Sequence, residues 1–91
     1  MTIRAFTLIK IKVGDLRAAV RDLRRIPLVD EANLTFGPYD IIATLHAEDL
    51  QELGRVVARE IQTIPGVLET RTCIMVDPQA LEDIQVASYP E

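Results

Sequence analysis

Thr35-Phe36-Gly37-Pro38-Tyr39-Asp40, near the middle of this 91-residue chain, gathers the residue types best suited to holding a small charged molecule. Gly37 permits φ > 0, Pro38 fixes its own φ, and Asp40 can bond nearby backbone amides, so the six residues predict a tight connection between two strands. Such a loop presents backbone N–H groups and one carboxylate together at a sheet edge. That pair suits a small zwitterion: the amides attract its carboxylate and Asp40 attracts its ammonium. The same Gly, Pro and Asp also make an ordinary turn, and composition alone does not choose between the two. A second candidate is Thr70-Arg71-Thr72, three hydrogen-bonding side chains in an otherwise apolar strand. Thr70 and Thr72 point the same way at period two, so their hydroxyls can meet a ligand carboxylate or a strand of another subunit. Thr is equally a good strand former, and Arg a normal edge residue.

Other chemistries find little support. Nucleophilic or acid–base catalysis needs a nucleophile, a base and an orienting group within reach of one another. The single imidazole, His46, and the single thiol, Cys73, fall on different predicted strands without any surrounding motif, so no enzyme is expected. Asp40, His46, Glu48 and Asp49 are near one another in sequence but match no ligand spacing, so no metal or other cofactor is expected. Glu48 and Asp49 are explained as acids at the first turn of a helix, where the dipole favours them. Arg17, Arg21, Arg24 and Arg25 share the outer side of the first predicted helix. Without interleaved aromatics they make a solvated face rather than a nucleic-acid stripe.

Composition points the same way. A net charge of −4 and a pI near 4.9 argue against phosphate binding, which rests on clustered Lys and Arg. One cysteine excludes an internal disulfide. Arg4, Lys10 and Lys12 interrupt the first apolar run, so no signal peptide is expected, and no stretch approaches the ~20 apolar residues of a membrane span. The expectation is a soluble, cytoplasmic protein. Apolar residues make up 48% of the chain but aromatics 4%, so the core must be aliphatic. A chain this short buries only roughly 60–65% of its unfolded surface, which favours self-association.

The elements that must position these residues follow from periodicity. Ala5 to Val13 alternates as a strand, with Thr7, Ile9, Ile11 and Val13 on one face and Phe6, Leu8, Lys10 and Lys12 on the other. Gly14 breaks it and Asp15 can cap a helix whose stripe is Leu16, Ala19, Val20, Leu23 and Ile26, ended by Pro27. Strands follow at Val29–Leu34 and Ile41–His46. A second helix starts near Asp49, with Glu52 completing a capping-box-like pair, and its stripe is Leu50, Leu53, Val57, Ile61 and Ile64. Gly54 inside that helix costs about 1 kcal/mol against Ala, which predicts close packing on the sheet. Pro65-Gly66 stops the helix, and Val67–Val76 is the last strand. Ile26-Pro27-Leu28-Val29 and Ile64-Pro65-Gly66-Val67 echo one another at matching places. The order β-α-β-β-α-β predicts an α+β, ferredoxin-like sandwich: a four-stranded antiparallel sheet with two helices on one face. The domain is expected to span 1–78, with 79–91 a tail carrying Leu81, Ile84 and Val86.

Ile9, Ile11, Val13, Ile41, Ala43 and Leu45 are expected to face the helices. Phe6, Leu8, Ile42, Thr44 and His46 are left on the open side of the sheet. An uncovered half-apolar face of that kind marks a partner surface, and a dimer packed sheet on sheet covers it.

With these stretches in view the chain resembles the effector-sensing (RAM) domain of the Lrp/AsnC, or feast/famine, transcriptional regulators. The resemblance is carried by Ala5-Phe6 through Lys10, Phe36-Gly37-Pro38-Tyr39-Asp40, Ile64-Pro65-Gly66-Val67 and Thr70-Arg71-Thr72, and covers about Ala5 to Val76. It implies the same sandwich, dimers forming an α+β barrel through their sheets, and rings of dimers, octamers or decamers. It further implies a free amino acid bound between dimers beside the Gly-x-x-Asp loop. By the resemblance Gly37 and Asp40 contact the effector, and Leu34, Tyr39, Thr70 and Thr72 contribute from the same or a neighbouring subunit. Full-length regulators of this kind carry an N-terminal helix-turn-helix, whereas here the first strand begins within a few residues of Met1. The expectation is therefore a stand-alone sensing module without direct nucleic-acid or membrane contact. It binds an amino acid, or serves as a ligand-free subunit that joins a full-length relative; a dimeric α+β-barrel enzyme is the remaining alternative.

Overall fold

The computed structural model describes residues 2–76. Strand β1 (Ile3–Ile11) leads through a turn to helix α1 (Leu16–Leu23), then to β2 (Val29–Leu34) and β3 (Ile41–Ala47). Helix α2 (Leu50–Val56) runs on into a π-turn over Val57–Ile61, and β4 (Val67–Ile74) follows. The strands form one antiparallel sheet in the order β2-β3-β1-β4, the βαββαβ sandwich expected from the sequence. The expected tail 79–91, and the 77–78 end of the expected domain, lie outside the described residues.

Alternation along the two central strands fixes which face is covered. Ala5, Thr7, Ile9 and Ile11 of β1 and Ile41, Ala43, Leu45 and Ala47 of β3 are buried, and every second residue between them is not. Against this face α1 packs Ala19, Val20 and Leu23, while the second helical segment packs Leu53, Val56 and Ile61. Leu23, Ile9, Ile41 and Ile61 are fully buried, each contributing about 1.5–3 kcal/mol by leaving water. Thr7 is the one buried polar residue among those described, and its hydroxyl is satisfied by Thr72 Oγ1 at 3.0 Å.

Several local expectations are corrected. Val13 lies beyond the end of β1 and is 93% exposed, because the strand stops at Ile11 and the chain turns away from the helices. Leu50 is exposed and Val56 buried. The π-turn widens the helix after Val56, so the inward stripe follows Leu53, Val56, Ile61 and Ile64 rather than an unbroken helical period. Helix α1 ends at Leu23, and Ile26 reaches the core through a turn in which its N–H bonds the carbonyl of Leu23. Gly54 is not needed for close packing: a Cβ there would meet nothing within 4 Å. Asp15 makes no capping bond. Its side chain instead lies where a Cβ on Gly66 would fall, 2.6 Å from Oδ2 and 2.7 Å from Cβ. With φ at +93°, Gly66 is required there twice over. Asp49, in contrast, caps as its sequence predicts: Oδ1 accepts from Glu52 N at 2.8 Å, and Glu52 Oε1 accepts from Glu48 N at 2.7 Å.

Candidate functional site

The loop between β2 and β3 is closed by its own polar groups. Thr35 N–H donates to the Asp40 carbonyl at 2.9 Å, and Thr35 Oγ1 donates to the Tyr39 carbonyl at 2.7 Å. Its far end is then sewn to β1. Asp40 N–H donates to the Ile9 carbonyl at 2.9 Å, and Asp40 Oδ2 accepts from Ile11 N–H at 2.8 Å. The carboxylate thus stands in for a strand carbonyl just past the Ile9–Ile41 pair and extends the β1–β3 ladder by one rung. Oδ1 has no partner among the described hydrogen bonds and is the atom left to meet a cation. Lys10 Nζ donates to the Pro38 carbonyl at 3.0 Å, bringing a positive charge over the loop. The loop therefore carries a carboxylate oxygen without a described partner and, at the Pro38 carbonyl, an ammonium, the two charge types that match a zwitterion in kind.

On the helix-facing side of the loop is a cleft of about 190 Å³ lined by Leu16, Leu34, Thr35, Phe36 and Asp40. Leu34 is 59% exposed and Phe36 fully so. Pockets that enclose a drug-sized ligand run to roughly 300–1,000 Å³, so this cleft is a partial wall. Leu16, expected from the sequence as a stripe position of the first helix, was not among the site candidates. It reaches the cleft through the crossover from β1 to α1, which leaves no local signature.

Tyr39 points elsewhere. Its hydroxyl donates to Glu69 Oε2 at 3.0 Å, and Arg71 Nε donates to the same oxygen at 3.0 Å, on the open side of the sheet where Glu69 faces Lys10. The two donors, Arg71 first and then Tyr39, hold the Glu69 carboxyl below its ordinary 4.5. The Tyr39 phenol is raised, chiefly by partial loss of solvent and then by donating to Glu69, and Arg71 is raised by the same carboxylate. Glu69 and Lys10 complete this polar corner and were not among the sequence candidates.

Thr70 and Thr72 lie on β4, which β1 separates from β3, the strand that follows Asp40. Both hydroxyls are engaged, Thr70 accepting from Gln62 Nε2 at 2.9 Å and Thr72 bonding Thr7. Within one protomer the structure therefore brings Leu34 and Asp40 to one cleft, sends Tyr39 to the opposite face, and keeps Thr70 and Thr72 at the far edge.

On the open face, Phe6 stands opposite Thr44 and Leu8 opposite Ile42, with Arg4 opposite His46. Phe6 is 38% exposed and the other sequence-named members are half-buried. The patch is rimmed by polar pairs: His46 Nδ1 lies 2.8 Å from Asp30 Oδ1, and Arg71 and Cys73 flank it on β4. Strand β1 stands between His46 and Cys73. Among the described residues no three His, Cys, Asp or Glu cluster to hold a metal, and no helix is long and apolar enough to cross a membrane.

Residues 4–80 match a family model described as the Lrp/AsnC ligand binding domain. An uncharacterized HTH-type transcriptional regulator of Pyrococcus abyssi is 33% identical over 71 residues, 78% of this chain and 45% of that protein. The chain spans about half the length of the curated relatives it matches. Among solved structures, E. coli AsnC is 29% identical with a TM-score of 0.79, covering 82% of this chain and 51% of that one. TTHA0845 from Thermus thermophilus is also 29% identical, with a TM-score of 0.79, and covers 98% of this chain and 99% of that one.

Proposed function

This chain belongs to the Lrp/AsnC ligand-binding domain family, and from that premise we propose that it is an oligomeric module that binds a free amino acid. Its known kin are transcriptional regulators, so the bound amino acid would bias a regulatory assembly rather than undergo chemistry. The observation that carries the reading is the division of the loop's polar groups. Asp40 spends one oxygen on Ile11 N–H and keeps the other without a described partner, in the lining of a cleft too shallow to enclose a ligand, while the Lys10 ammonium is held at the Pro38 carbonyl of the same loop. In this reading protomers pair through Phe6, Leu8, Ile42, Thr44 and His46. Further copies then bring their own Leu34, Gly37, Tyr39, Thr70 or Thr72 over the cleft and complete it. Rings of dimers, and mixed rings with a full-length relative, are the assemblies that such a crevice implies. Sensing a metabolite pool asks for micromolar to millimolar affinity, about −8 to −4 kcal/mol, which a carboxylate and a few amides supply.

Titration calorimetry with a panel of amino acids tests this on the wild-type chain and on Asp40→Asn. The amide keeps an oxygen for Ile11 N–H but loses the charge, so at least one amino acid should bind the wild type and bind the variant tenfold or more weakly. Unchanged binding would remove Asp40 from the site. A ligand-free assembly subunit is the second reading, favoured by the structural use already made of Asp40 Oδ2. It predicts that no amino acid in the panel shifts the melting temperature or the particle size.

A further inference from the structure

Two concavities among the described residues adjoin across Leu16 and Leu34, which line both. One is the loop cleft, with Asp40 in its lining. The other is a groove of about 720 Å³ between α1 and the edge strand β2, floored by Leu16, Val20 and Leu34 and rimmed by Arg17, Arg21, Arg24 and Arg25. A molecule seated at Asp40 therefore meets aliphatic surface first and guanidinium groups beyond it. Arg17 follows Leu16 directly, and Arg21 stands one helical turn further along the same side of α1.

The four arginines differ in what they already hold. Arg24 is committed to the edge strand, donating from Nε and a terminal nitrogen to the Ala32 carbonyl at 3.1 and 2.9 Å. Arg21 Nε reaches Asp22 Oδ1 only at 3.4 Å, long for an N–H···O bond. Among the described residues, Arg17 has neither an ion pair nor a side-chain hydrogen bond. Arg25 stands eight positions past Arg17, roughly 12 Å along a helix axis, out of reach of a small molecule held at the loop. Residues 16–25 hold four of the chain's ten Lys and Arg and one acid, Asp22, so this side is locally positive on a chain of net charge −4. A wholly aliphatic side chain entering from the loop would leave Arg17 without a partner, and a basic one would be repelled by it. A carboxylate on a short aliphatic stem satisfies both the floor and the rim.

We propose that the amino acid this chain prefers carries a carboxylate at the end of an aliphatic side chain, as glutamate and its one-methylene-longer homologue do. The ammonium meets Asp40 Oδ1, the stem crosses Leu16 and Leu34, and Arg17 receives the side-chain carboxylate with Arg21 behind it. The inference rests on the loop being an amino-acid site and adds the class of effector. Asp40 then serves any amino acid that binds, while Arg17 and Arg21 set which one binds best. A guanidinium takes a carboxylate through two parallel N–H···O bonds, whereas a side-chain amide of the same shape offers it one acceptor and no charge. Glutamate against glutamine is therefore the sharpest comparison.

Titration calorimetry on the full chain at low salt compares L-glutamate and L-2-aminoadipate with L-glutamine and L-norleucine, and with glutarate, which has two carboxylates and no ammonium. At least one of the two acidic amino acids should bind about tenfold or more tightly than glutamine, norleucine and glutarate. Arg17 and Arg21 are exposed, so substituting them leaves the core alone. Arg17→Gln with Arg21→Gln should bring the preference below about threefold, and Arg17→Lys with Arg21→Lys, which keeps the charge, should retain more of it. Arg55→Gln, on α2 and outside the groove, should leave it whole. Amino acids that bind without any gain for the acidic ones overturn the proposal and leave the reading of the loop standing. A preference that survives the two glutamines overturns it as well, because the carboxylate is then received elsewhere. Glutarate binding as tightly as glutamate overturns the span from Asp40 and makes the groove an anion site of its own. If none of these amino acids binds, the reading of the loop falls and the proposal falls with it.

Discussion

The two βα-to-edge-strand halves of this molecule start from nearly the same turn and finish differently. In the first, Ile26 N–H bonds the Leu23 carbonyl and Val29 N–H bonds the Ile26 carbonyl; in the second, Ile64 does so to Ile61 and Val67 to Ile64. The residue after each proline then offers its carbonyl to a central strand's end, Leu28 to His46 N–H at 3.1 Å and Gly66 to Lys12 N–H at 2.7 Å. From there the halves part. Strand β2 buries Val29 and Ala32 beneath α1, whereas β4 has no fully buried residue and leaves Leu68, Ile74 and Thr72 open. Among the described residues one edge of the sheet is finished, and the other, with the apolar open face beside it, is not. Exposed edges and apolar faces invite pairing, which is what the proposed assembly would supply.

The finished half should be the more sensitive to truncation. Leu23→Ala, at the fully buried last position of α1, should cost about 2–5 kcal/mol in urea unfolding. Leu68→Ala on β4, 65% exposed, should stay within about 0.5 kcal/mol. Equal losses at the two sites would erase the asymmetry. At the paired turns, Gly66→Ala should cost about 1–3 kcal/mol, because it meets both a positive φ and the Asp15 side chain. Gly54→Ala, with open space around it, should instead stabilise by about 0.5–1 kcal/mol. The same sign for both would contradict the contrast between the two environments. The smallest effect is expected at the open-face corner. Because the folded Glu69 carboxyl is held below 4.5, its bonds to Tyr39 and Arg71 are intact above that pH and open as pH falls through the lowered value. The Tyr39 ring shifts followed by NMR from pH 6 to 2 should move there; a midpoint at or above 4.5 would deny the linkage.

The order of elements along the chain and the covered face were legible in the sequence because both are written in local periodicity: Ile9 and Ile11, then Ile41, Ala43 and Leu45, mark one face, and of the residues assigned to it only Val13, past the end of β1, falls outside. Legibility ended where a neighbour distant in sequence intervened. Nothing near Asp15 announces that its side chain backs Gly66 rather than capping α1, and nothing in Val57–Ile61 announces a π-turn. The site was legible in residue type but not in arrangement. Asp40 was named for its charge, yet its bond to Ile11 spans 29 positions and depends on how β1 and β3 register. Thr70 and Thr72 read as free hydroxyls because Gln62 and Thr7, their partners, lie on other elements.

Multi-angle light scattering over a dilution series asks whether the open face is covered by another copy, on which the proposed crevice depends. The wild-type chain should scatter as a dimer or a larger multiple of 10.2 kDa, and Phe6→Asp, which places a charge at the centre of the face, should shift it towards 10.2 kDa while remaining folded. A well-folded wild-type particle of 10.2 kDa at every concentration would leave the open face uncovered and the crevice without its second wall.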